Sequence, residues 1–141
     1  MLETGGGIKQ ALPLLGESPF LVVSTDTYHD VEFTSLEWDL PADCLGRLVM
    51  TDNPSHHPRG DFALDESGIL HHQGSCLTYV GVGLFRPELV ADVEEESFPL
   101  RQVFDEAIDN GQIEGVHYRG YWCDVGTLER YDQLKQDVAS R

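Results

Sequence analysis

Six stretches of the chain carry a clear pattern of apolar and polar positions. Phe20-Leu21-Val22-Val23-Ser24 is a continuous apolar run, the pattern of a strand buried on both faces. Leu48-Val49-Met50-Thr51 reads the same way and passes into a loop from Asp52 through Pro54, His56, His57, Pro58 and Gly60. Asp61 to Leu64 and Ile69 to His72 flank Asp65-Glu66-Ser67-Gly68, which predicts a hairpin. A longer strand is expected from Leu77 to Phe85, interrupted by Gly81 and Gly83, where glycine marks the close approach of a ligand or another backbone. Tyr118 to Cys123 is a further strand-like run, ending in Asp124-Val125-Gly126-Thr127.

The helical signals are as distinct. Pro99 opens a segment whose apolar residues fall at Leu100, Val103, Phe104, Ala107 and Ile108, a 3.6-residue stripe closed by Asn110-Gly111. Thr127 is placed to cap a last helix with Glu129 in its first turn, and Leu128, Tyr131, Leu134 and Val138 form its expected buried face. Thr4-Gly5-Gly6-Gly7 reads as a turn opening a short helix that closes around Pro13 and Gly16. Strands alternating with helices predict one α/β domain over residues 1–141, with a mainly parallel sheet and an antiparallel hairpin.

Composition narrows the functions. The chain has 141 residues, enough for one hydrophobic core. No apolar run approaches the ~20 residues needed to cross a bilayer, and the first residues lack the basic and apolar parts of a signal peptide. The expected location is the cytoplasm. Nine Lys and Arg against 25 Asp and Glu give a net charge of −16, which repels nucleic acid and anionic membrane. The three cysteines are widely spaced and suggest neither a disulfide framework nor a CxxC metal site. The pairs His56-His57 and His71-His72 lack metal-ligand spacing, and neighbours in a strand point to opposite faces.

Two acids stand out. Asp26 follows the first buried run, and Asp124 ends the last strand-like run. In an open α/β sheet, ligands sit beyond the carboxyl ends of strands. Each acid alone also suits turn chemistry. Together they can share a divalent cation, which a chain this acidic needs if it is to accept a phosphate.

The ordered segments resemble the sugar-1-phosphate nucleotidyltransferases, and within them the N-acetylmuramate-1-phosphate uridylyltransferase branch. The resemblance is carried by Leu2-Glu3-Thr4-Gly5-Gly6-Gly7-Ile8 with Ala11 to Gly16, by Pro19 to Val23, and by Asp52-Asn53-Pro54 with His56-His57-Pro58 and Gly60-Asp61-Phe62. It continues through Phe98-Pro99-Leu100 and Tyr118-Arg119-Gly120 to Trp122-Cys123-Asp124-Val125-Gly126-Thr127-Leu128-Glu129-Arg130. It implies a Rossmann-like nucleotide-diphospho-sugar transferase fold and in-line attack of a sugar 1-phosphate on the α-phosphate of UTP or another NTP. By the same resemblance, Asp26 and Asp124 are the catalytic carboxylates holding Mg²⁺. Glu3, Thr4, Gly5 and Thr25 would lie along the nucleotide, and Gly60, Asp61 and Gly81 along the sugar. Thr25 stands where the family usually has glycine.

The family also carries a first strand, a Gly-rich phosphate loop and a lysine ahead of the matched stretch. Met1 is therefore expected to begin after them, leaving an N-terminally truncated domain with open strand edges that favour a homodimer. Two alternatives follow. One is an inactive remnant serving as a binding or self-associating module. The other is mannose-1-phosphate guanylyltransferase-like specificity.

Overall fold

The computed structural model describes residues 1–141. It begins with helix α1 (Glu3–Leu15), strand β1 (Phe20–Val23) and strand β2 (Thr27–His29), then a 3-10 turn at Phe33–Ser35. Strands β3 (Gly46–Thr51), β4 (Phe62–Leu64), β5 (Leu70–His71) and β6 (Cys76–Phe85) follow. The chain ends with α2 (Glu88–Ala91), α3 (Leu100–Asp109), β7 (Ile113–His117), β8 (Trp122–Asp124) and α4 (Leu128–Ala139).

Six strands form one sheet in the order β5-β4-β6-β3-β7, with β1 also paired to β6. All six residues of β3 are buried because the sheet is covered on both sides. Leu48 and Met50 join the larger core with Phe62, Phe85 and the apolar stripe of α3. Val49 turns to the other face, where Val80 and Val82 pack against Val31, Leu36, Tyr118 and Trp122. The predicted hairpin is present: Ala63 pairs with His71 and Leu64 with Leu70. Asp65 closes its turn by accepting the backbone N–H of Ser67 at 2.8 Å and of Ile69 at 3.0 Å. The α3 stripe and the Thr127 cap are also as expected, the Thr127 hydroxyl accepting the Arg130 N–H at 3.2 Å.

The α/β fold class stands, but the strand directions differ from the mainly parallel sheet expected. Only β3 and β7 run parallel; every other ladder is antiparallel. The parallel partner, Ile113–His117, lies just ahead of the run read as a strand. Tyr118 to Tyr121 form the connection to β8, which leaves the main sheet and pairs with β2 as a two-stranded ribbon.

Three local expectations are corrected. The glycines near the N-terminus lie inside α1 rather than in an open turn. A Cβ at Gly5 would come 2.4 Å from the Phe98 ring and one at Gly6 would come 2.2 Å from the Glu96 carbonyl oxygen, so these residues let the helix press against the 96–98 backbone. In β1 only Phe20 is buried, and Val23 is exposed, because the strand pairs with β6 alone. On α4 only Leu134 is buried; Leu128, Tyr131 and Val138 face outward because the helix packs on the narrow ribbon. No helix is long and apolar enough to cross a membrane.

Candidate active site

The ribbon brings the two aspartates together. Thr27 pairs with Asp124 across β2 and β8, and the Asp26 carbonyl accepts the Val125 N–H at 2.8 Å. Asp26 sits in the tight turn between β1 and β2, and Asp124 is the last residue of β8. Both line one open cleft of about 340 Å³, together with His56, His57, Thr78, Tyr79, Gly81 and Trp122.

The floor of the cleft is a bulge in β6. Leu48 of β3 lies opposite Gly83 and Met50 lies opposite Tyr79, so Val80, Gly81 and Val82 together face Val49. Gly81 adopts φ +87°, a left-handed conformation open to glycine at low cost. Two carbonyls of the bulge bond the segments that carry the aspartates. Gly81 O accepts the Ser24 N–H at 2.7 Å, and Val80 O accepts Trp122 Nε1–H at 2.9 Å. The turn bearing Asp26 and the strand bearing Asp124 are thereby both fastened to the main sheet.

The 52–60 loop supplies the opposite wall. Asn53 holds it by donating Nδ2–H to Cys76 O at 2.9 Å and accepting the Thr78 hydroxyl at 2.8 Å. His56 Nε2 then lies 2.5 Å from Asp124 Oδ2. His57 Nε2 lies 3.2 Å from Asp61 Oδ1. The paired histidines diverge, each to its own carboxylate.

On the other side of Asp124, Arg130 Nε stands 2.6 Å from Oδ1, and the Gly126 N–H donates to the same oxygen at 3.3 Å. The Arg130 contact is one of charge: its Nε is shielded from water yet lacks an aligned acceptor. Burial, the largest influence on Asp124, raises its pKa. The His56 hydrogen bond, the Gly126 N–H and the Arg130 charge together outweigh it and hold the carboxyl below its ordinary value.

The other residues expected at a site divide into two groups. Gly81 lines the cleft, and Asp61 stands behind it, with Oδ2 accepting the Tyr79 N–H at 2.8 Å and Arg101 Nη1 3.5 Å from Oδ1. Gly60 sits against the Cys76 carbonyl. Thr25 is exposed in the turn beside Asp26. Glu3, Thr4 and Gly5 are on α1, which packs on α2 and α3, and none of them lines the cleft. Sequence reasoning gave no role to His56 or Arg130. Arg130 did carry a signal: it is a cation three residues past a helix cap, against the helix dipole.

No three His, Cys, Asp or Glu side chains converge as a full metal shell. Two carboxylates completed by phosphate oxygens and water are nevertheless a donor set that suits magnesium, and Asp26 and Asp124 fit that role.

No protein-family model matches the chain. It is 40% identical over 141 residues to the N-acetylmuramate alpha-1-phosphate uridylyltransferase of Neisseria meningitidis serogroup B, a match covering 95% of this chain and 61% of that protein. With the enzyme of the same name from Caulobacter vibrioides, identity is 34% over 137 residues, covering 89% and 57%. Among solved structures, HddC from Yersinia pseudotuberculosis superposes with a TM-score of 0.75 at 20% identity, covering 97% of this chain and 63% of that one. A UDP-glucose pyrophosphorylase complexed with UDP-glucose gives 0.69 at 14% identity, covering 99% and 63%. The chain thus spans about three fifths of the length of the N-acetylmuramate alpha-1-phosphate uridylyltransferases it is similar to in sequence, and it shares its fold with the solved structures named above.

Proposed function

We propose that the chain takes part in uridylyl transfer from UTP to a sugar 1-phosphate, with Asp26 and Asp124 holding magnesium. The observation that carries this reading is the β2–β8 ribbon, which sets two carboxylates from distant parts of the sequence on one cleft. When bound there, the ion would neutralise phosphate charge as it builds in the transition state. The protein's own task is positioning. The Gly81 bulge and the Ser24 and Trp122 hydrogen bonds fix the two acids against the sheet. Asp61, by holding the Tyr79 N–H beside Gly81, shapes the wall assigned to the sugar, with Gly60 behind it. Thr25 is adjacent to Asp26 and is assigned to the nucleotide; the roles of Glu3, Thr4 and Gly5 on the base rest on sequence resemblance. The names of the sequence relatives favour N-acetylmuramate 1-phosphate as acceptor; a part in cytoplasmic recycling of cell-wall sugars is proposed from the sequence resemblance alone.

The test is pyrophosphate release from UTP with Mg²⁺ and N-acetylmuramate 1-phosphate. Asp124→Asn and Asp26→Asn are each expected to lower the rate on the order of a hundredfold or more. Running GTP in place of UTP decides between uridylyl and guanylyl transfer. A second reading, a binding or self-associating module, is favoured by the exposed Leu128, Tyr131 and Val138 of α4. No release by the parent chain, together with dimers in sedimentation equilibrium, would select that reading.

A further inference from the structure

We propose that Arg130 stands in for the divalent cation at Asp124 while the cleft is empty, and gives way when the ion binds. This rests on the reading of Asp124 as a metal carboxylate. Arg130 Nε is 2.6 Å from Asp124 Oδ1, within the first turn of α4. A cation near a helix N-terminus opposes the helix dipole, so its placement is favourable only with a compensating anion. Asp124 is that anion. Without a positive neighbour it would be a carboxylate that is only about one-fifth exposed, in a chain of net charge −16.

The contact is nevertheless poorly made. A guanidinium binds carboxylates best as a planar fork with aligned N–H groups. Here Nε is shielded from water with no aligned acceptor, which leaves a donor unsatisfied. Charge holds the pair and geometry does not, so a cation that coordinates carboxylate oxygen well displaces it at small cost. The side chain is about one-third exposed, so it already faces water in part. His56 occupies Oδ2 but comes from the separate 52–60 loop. Oδ1 is shared by Arg130 and the Gly126 N–H, and Arg130 is the positive charge on that oxygen that an incoming ion must displace.

Mn²⁺ binding, followed by the paramagnetic resonance signal of the free ion at one fixed pH, tests this without turnover. Arg130→Gln and Arg130→Met are expected to bind Mn²⁺ roughly tenfold tighter, because a competing positive charge is removed. Arg130→Lys keeps the charge and should stay near the parent. Asp124→Asn should lose the site. A fold damaged by substitution cannot tighten binding, and thermal melts of all four variants identify any that fail to fold. Neutral variants that bind no tighter, while Asp124→Asn loses the ion, overturn the stand-in role and leave the metal site in place. An Asp124→Asn protein that binds like the parent overturns both, as does the absence of binding in every protein. Binding in Arg130→Gln but not in the parent supports the proposal most strongly.

Discussion

The six-stranded sheet and the β2–β8 ribbon are buried to very different depths. In β3 every side chain is covered, and α3 buries five residues on the sheet. In β8 no residue is fully buried, and α4 buries Leu134 alone. The difference separates two tasks. The sheet supplies cohesion, and the ribbon presents two carboxylates to solvent, where an ion and a phosphate can reach them. The hydrogen bonds at the Gly81 bulge join the two, and Trp122 of the ribbon packs on the second face of the sheet, so the ribbon takes its position from the sheet.

Substitutions graded by size can break or sharpen this contrast. Phe104 meets Phe62, Tyr79 and Phe85 at ring-centroid distances of 6.4, 5.6 and 5.5 Å. Phe104→Ala should cost about 3–5 kcal/mol in urea unfolding, the largest effect of the set. Gly81→Ala acts at the junction, forcing a Cβ to within 2.7 Å of Ser24 Oγ at positive φ. It should cost about 1–3 kcal/mol, read by the same titration, and displace Asp26. A value near zero would mean that the bulge does not fasten the ribbon.

Asp124 gives a smaller, pH-dependent effect. Its folded carboxyl titrates below the ordinary value of 3.8, so its contribution to stability is full above that value. The contribution is lost as pH falls through the folded pKa. The difference in Tm between the parent and Asp124→Asn should therefore narrow between neutral pH and about pH 3. Leu128→Ser, at a site 79% exposed, should change stability by less than about 0.5 kcal/mol. A larger loss in that variant would place α4 in a buried interface.

What could be read from the sequence was what neighbouring residues decide. The α3 stripe and the Asp65–Gly68 turn are set by residues within a few positions of each other, and both are present as expected. The parallel strand Ile113–His117 was hidden, since Glu114 and Gly115 break its apolar alternation. Glu114 is held instead by Arg47, with Nη2 to Oε2 at 2.7 Å and a partner 67 residues away. The exposure of β1 and α4 depends on what packs against them, which no apolar pattern records. The two aspartates stand out by their place after strand-like runs and by resemblance, and the structure brings both to one cleft. His56 escaped because its partner lies across the fold, and the glycines of α1 misled because close packing and loose turns favour the same residue.

Trp122 makes the cleft visible to spectroscopy. Its indole lines the cavity beside both aspartates and donates to the Val80 carbonyl. The chain has only one other tryptophan, Trp38, which is 46% exposed. In a Trp38→Phe background the remaining emission reports from one place, so an ion or nucleotide entering the cleft shifts an intrinsic fluorescence signal with no label attached.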